Sequence, residues 1–200
     1  KTIVLLNKER LYMLIHKINF KVHGVTFDNE DNINIQDGIV KVLNEYKRNN
    51  YFDKLYCGYS KKEIIDMDLN ISEYEDCLFT GNIKKDIFEG KNCYKVYIDT
   101  YNNSRFHIGY APKSLINEIS EWIQKNNLKY TTNIYITGGK CKHCVSTTIN
   151  YEDTCHVEIT ELAYGFNVEL RFYDDTINTN THTKENKKGI FEKIFKNKKG

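Results

Sequence analysis

KNCYKVYIDTYNNSRFHIGYAPKSLINEI, residues 91–119, carries the pattern on which the fold reading turns. Two runs within it, CYKVYID (93–99) and RFHIGYA (105–111), are rich in aromatic and β-branched residues, and the Asn102-Asn103 pair between them is good turn chemistry. They read as a β-hairpin. Pro112 then stands where a helix would begin. Leu115, Ile116, Ile119, Trp122 and Ile123 recur at i, i+1, i+4, i+7 and i+8, which predicts a helix over residues 113–125.

Upstream, KINFKVHGVTF (17–27) places Ile18, Phe20 and Val22 on one parity and reads as a strand interrupted at Gly24. The polar loop DNEDNIN follows. Ile39, Val40, Leu43 and Tyr46 then fall at helical spacing, predicting an amphipathic helix over 37–48. KLYCGY (54–59) and DCLFTG (76–81) suggest short strands, with room for one helical turn at 61–66. Downstream, NIYITGG (133–139), CHVEITE (155–161) and FNVELRFYD (166–174) read as a three-stranded antiparallel addition, with Tyr164-Gly165 as the last connecting turn. The expected organisation is an N-terminal strand or extension (1–16), a central domain (17–126), a C-terminal β subdomain packed on it (127–175) and a disordered basic tail (176–200).

Composition agrees with a mainly β, α+β protein. The hydrophobic share is 40% and the charged share 28%, and 15 Tyr and 10 Phe stand against one Trp and one Pro. No apolar run approaches the roughly 18 residues of a membrane span. Residues 184–200 hold seven Lys and two Glu, a net +5 within an overall +2, so the rest of the chain is net −3. Proteins that track many phosphates along a duplex carry a strongly basic face, so this body predicts few phosphate contacts. Neither a glycine-rich phosphate loop nor an internal repeat is present, which argues against an NTPase or dinucleotide enzyme. The six Cys show no evenly spaced framework, so reduced thiols and a cytoplasmic location are expected. The chain opens on Lys1 rather than Met, which leaves a preceding segment open.

No catalytic constellation is visible, and no cofactor is expected. A structural zinc is the rival reading, with Cys141, Cys144, Cys155 and His156 as four donors. Against it, Cys155 and His156 are adjacent, and neighbours on a strand point to opposite faces. His107 reads as a surface histidine.

Three stretches in order, FKVHGVTFDNEDNINIQ (20–36), KNCYKVYID (91–99) and HIGYAPKSLINEI (107–119), resemble the HIRAN family over about half of the chain. The most specific piece is Gly109-Tyr110-Ala111-Pro112-Lys113, a turn leaving a strand and opening a helix. The resemblance implies a small OB-like or SH3-like β-barrel with two helices, as in stand-alone bacterial members. It also implies a non-catalytic module that binds single-stranded or terminal DNA. Carried over, the nucleic-acid-binding residues fall on Thr26, Phe27, Asp28, Asn92, Tyr110 and Lys113. Thr26 and Asp28 stand where DNA-end binders carry arginine and tyrosine. The alternative is a protein-interaction or scaffold domain that has lost nucleic-acid binding. Aromatic faces that stack bases, one lysine for a phosphate and polar groups for a terminal hydroxyl would suffice without a basic stripe. Lys113 at a helix start, where negative charge is preferred, favours an anion held there.

Overall fold

The computed structural model describes residues 3–7, 10–52, 54–149 and 152–174. The expected basic tail therefore lies outside the described residues. Eight strands and three α-helices follow in the order β1 (Ile3–Asn7), β2 (Arg10–Lys21), α1 (Ile35–Arg48), α2 (Lys61–Asp66), β3 (Asn70–Ser72), β4 (Leu78–Phe88), β5 (Lys91–Asp99), β6 (Arg105–Tyr110), α3 (Ile116–Ile123), β7 (Leu128–Ile149) and β8 (Glu152–Asp174). The protein is mainly β with helices, as its patterning predicts. None of the described helices is long and apolar enough to cross a membrane.

The strands form one antiparallel sheet in the order β1-β2-β8-β7-β4-β5-β6, with β3 added beside β7. It is not closed into a barrel, which corrects the expected OB-like or SH3-like closure. Across the open seam, the link between the end of β6 and the chain leaving β2 is an isolated bridge, His23↔Tyr110. The two residues exchange backbone hydrogen bonds of 2.9 Å in both directions. The bridge requires Gly109, because a Cβ there would stand 2.3 Å from the His23 carbonyl oxygen at a φ of +131°. The seam opens again on both sides: Gly24 turns one chain away with φ +80°, and Pro112 offers no N–H to the other.

The core lies between the inner face of this sheet and the helices. Ile18, Phe20 and Val22 from the β2 side alternate inward, as do Phe166, Val168, Leu170 and Phe172 on β8, and all are buried. Ile134 and Ile136 of β7 belong to the same cluster, so residues 127–174 share one hydrophobic core with the central region. Helix α1 adds Ile35, Ile39, Val42, Leu43 and Tyr46 at helical spacing. Its start is capped by Asn34, whose side chain accepts from the Gln36 and Asp37 N–H groups. Helix α3 adds Ile116 and Ile119, and its Trp122 stacks on His16 of β2 with ring centroids 4.1 Å apart.

Three further expectations change. CHVEITE and FNVELRFYD are one continuous strand, β8, so the addition is a two-stranded ribbon rather than three strands. Gly165 has no left-handed φ and makes no turn; the irregularity falls on β7 instead, between Thr137 and Gly139. There Gly138, at φ +76°, lies so close to Ala163 that a Cβ would stand 2.1 Å from its carbonyl oxygen. Strand β4 runs to Phe88, well past the predicted end at 81. The helical turn read at 61–66 does form, as α2, a third helix beside the two of the barrel expectation, and it starts in a capping box of Ser60 and Glu63.

Candidate nucleic-acid interface

A cavity of about 590 Å³ opens at the seam, bordered by three separate pieces of chain. The first is the turn after β2. Phe27 N–H donates to the Gly24 carbonyl at 3.2 Å, and the tightness of that turn leaves the Phe27 ring 71% exposed over the cavity with Asp28 beside it. The second is the β4–β5 hairpin, whose two-residue turn, Glu89-Gly90, has both residues at positive φ, the twist that two-residue hairpins favour. It presents Phe88, 54% exposed, together with Lys91 and Asn92. The third is the corner from β6 into α3, with Tyr110, Lys113, Ile116 and Asn117.

Tyr110 is the floor shared by all three. Its ring centroid is 5.6 Å from that of Phe88 and meets His107 edge-on at 5.0 Å. Burial pushes its phenol above the ordinary value, so it stays a neutral hydroxyl. His107 is not a surface residue, which corrects the sequence reading: it is 2% exposed. It is the register partner of Tyr97 and shares that residue's face, opposite the core residue Ile108, where the Tyr97 and Tyr110 rings and the loop bearing Glu30 cover it. Its Nε2–H donates to the Gly109 carbonyl at 2.9 Å, while Nδ1 is buried with no hydrogen-bond partner among the described residues. Burial lowers its pKa below the usual 6.5, so the ring is neutral near pH 7.

The loop carrying Phe27 and Asp28 is fixed from behind. Asn29 Oδ1 accepts from the Asp31 and Ile33 N–H groups at 2.9 and 3.0 Å. Glu30 accepts from Lys95 Nζ at 2.8 Å and from the Tyr97 hydroxyl at 2.9 Å. The Lys95 bond holds the Glu30 carboxyl below its ordinary range. Lys95 also reaches Asp86 at 2.6 Å, and these two bonds raise its own pKa. Gln36 ties the loop to β8: its Nε2 donates to the Val25 carbonyl at 2.8 Å and to the Tyr164 carbonyl at 3.0 Å, and its Oε1 accepts from Tyr164 N–H at 2.7 Å.

Of the six residues expected to bind nucleic acid, Phe27, Asp28, Asn92, Tyr110 and Lys113 all line this cavity. Thr26 is exposed on the turn and does not. Sequence reasoning missed Phe88, Lys91 and Asn117. The available signal for Phe88 was Glu-Gly between the runs Ile87-Phe88 and Lys91-Asn92, a two-residue turn that places the last strand residue at the tip. Around the apolar walls stand two cations, Lys91 and Lys113, two carboxylates, Asp28 and Glu89, and two amides, Asn92 and Asn117. Cys93 also reaches the cavity, but burial raises its thiol pKa, which keeps it in the weakly nucleophilic protonated form. The cavity thus combines apolar aromatic walls with hydrogen-bonding and charged groups at its rim.

The four donors of the zinc reading are divided by the strand pairing. Cys144 and Cys155 share one face of the β7–β8 ribbon, and Cys141 and His156 project from the other. Among the described residues no group of three or more His, Cys, Asp or Glu could hold a metal ion.

No family model matches the chain, and neither curated proteins nor solved structures provide a significant match. The likeness to HIRAN sequences rests on the three quoted motifs.

Proposed function

We propose that the cavity holds an unpaired nucleotide of a single-stranded or terminal nucleic acid, and that the protein is a non-catalytic, HIRAN-like binding module of the cytoplasm. The observation that carries this reading is the convergence of Phe27, Phe88 and Tyr110 on one cavity whose rim bears Lys91 and Lys113. Aromatic faces stack any base, and two lysines meet one or two phosphates. Asp28, Asn92 and Asn117 supply acceptors and donors for a sugar hydroxyl or a base edge. Because Asp28 and Glu89 offset the two lysines, affinity comes from stacking more than from charge.

Fluorescence anisotropy with labelled single strands at low salt tests the reading. Tyr110→Ala is expected to cost about 1–3 kcal/mol, the worth of one stacked base. Lys113→Ala is expected to reduce the salt slope by about 1. An absence of binding at low salt defeats it. A protein-interaction role is the second reading, favoured by an observation elsewhere in the fold, the uncovered edge of β8.

A further inference from the structure

Strand β8 has β7 beside it along its length but β2 only over residues 167–174. On that open side, residues 153–163 have no strand next to them among the described residues, so their outward backbone groups form an unpaired edge. On the far side, β3 covers β7 only at Cys141, Lys142 and His143. Helix α2 touches both strands, but beyond that point no further strand lies beside β7 and β8 among the described residues, which leaves a two-stranded ribbon. Two strands alone are marginal in water, and a third confers stability.

The side chains select which third strand. Edges are commonly defended by lysine, proline or a bulge. Residues 153–163, DTCHVEITELA, contain no Lys, Arg or Pro, and their register with β7 is unbroken from Leu162 outward. Asp153, Glu158 and Glu161 are exposed, as are Ile159 at 58% and Leu162 at 57%. Asp153 accepts from Thr148 Oγ1 at 2.7 Å and Glu158 faces His156 at 2.9 Å; among the described residues none of the three carboxylates meets a Lys or Arg. Alternation puts Ile159 with Glu161 on one face and Leu162 with Glu158 on the other, so each face pairs an apolar contact with a carboxylate. A second copy using the same edge would bring the same three carboxylates alongside, with no Lys or Arg among residues 153–163 of either strand to offset them. Nucleic acid is opposed for the same reason.

We infer that residues 153–163 take up an extended, lysine- or arginine-bearing segment of a protein partner as an added β-strand. Its backbone completes the ladder, and its basic side chains meet Asp153, Glu158 and Glu161. None of these residues lines the cavity, so the two surfaces can be tested apart.

The test titrates the full chain into a fluorescein-labelled peptide, KTKVKTKVKT, with ETEVETEVET as the control. The lysine peptide is expected to bind and to protect the amides of residues 153–163 from hydrogen exchange, and the glutamate peptide is not. Glu158→Lys combined with Glu161→Lys is expected to weaken binding about tenfold, the scale of two exposed ion pairs. A lysine peptide N-methylated at alternate residues, which keeps every charge and loses the ladder donors, is expected not to bind. The proposal is overturned if the lysine peptide does not bind, if the charge reversal leaves affinity unchanged, or if the N-methylated peptide binds as well as its parent. Protection of residues 153–163 by self-association without peptide also overturns it.

Discussion

Replacing Gln36 by Leu keeps the bulk of the side chain and removes its polar end. Three hydrogen bonds disappear at once, two donated to the Val25 and Tyr164 carbonyls and one accepted from Tyr164 N–H, over 2.7–3.0 Å. At about 1 kcal/mol net for each bond, the expected loss of stability is about 3 kcal/mol. For a chain of this size the urea dependence is about 2–3 kcal/mol per molar, so the unfolding midpoint drops by about 1 M. The single tryptophan, Trp122, stacked on His16, is a suitable fluorescence probe of unfolding. Amide exchange localises the effect: protection is expected to fall in residues 24–34 and around Tyr164. A midpoint shift of the size of an ordinary surface substitution, within about 0.5 kcal/mol, refutes the view that this side chain joins the loop to β8.

Gly38→Ala would place a Cβ 2.0 Å from the Phe106 ring, so either that ring or α1 must shift; a loss of about 1–3 kcal/mol in urea unfolding is expected, with Phe106→Leu restoring part of it. Burial holds His107 below its usual 6.5, so its contribution to stability is intact above pH 6.5 and lost progressively as pH falls below it. Unfolding midpoints between pH 7.5 and 5 are expected to decline less in His107→Phe, and an identical slope in the variant removes His107 as the cause. Glu30, whose carboxyl Lys95 holds below the usual 4.5, contributes above that value and loses its contribution as pH falls through the lowered one. Acidification should then lower the amide protection factors of residues 28–34, with Glu30→Gln showing the low protection already at neutral pH; equal protection in both proteins contradicts this.

The β5–β6 hairpin, α1 and the turn into α3 were legible in sequence because each is set by neighbours within a few residues: Asn102-Asn103, the helical spacing of Ile39, Leu43 and Tyr46, Pro112. The long β7 and β8 were not, because Gly138-Gly139 reads as a strand end when it makes a bulge that only the opposing Ala163 and Tyr164 explain. Barrel closure failed to appear for a related reason. Local patterns predict strands, whereas the seam depends on where Gly24 and Pro112 send the chain. At the site, Phe27, Asp28, Asn92, Tyr110 and Lys113 could be named from the motifs that hold them. Phe88 was not named, since its place at the hairpin tip follows only when Glu89-Gly90 is read as a two-residue turn that carries β4 on to it. The burial of His107 came from the loop bearing Glu30, which covers the outer face of β6 and which no periodicity within β6 records.

The pairing of β2 with β8 has a consequence for the order of assembly. Met13 is partnered with Asp174 and Lys21 with Asn167, so the strand leading into the cavity finds its main neighbour about as far along the described chain as it can be. Contacts of such sequence separation form late, because the intervening chain must be closed before they stabilise anything. During synthesis β2 emerges early and waits, while the hairpin of β4, β5 and β6 is free to form locally. The His23–Tyr110 bridge joins the turn bearing Phe27 to Tyr110 without β8, so the two walls of the cavity can meet before the strand leading into it has its main neighbour.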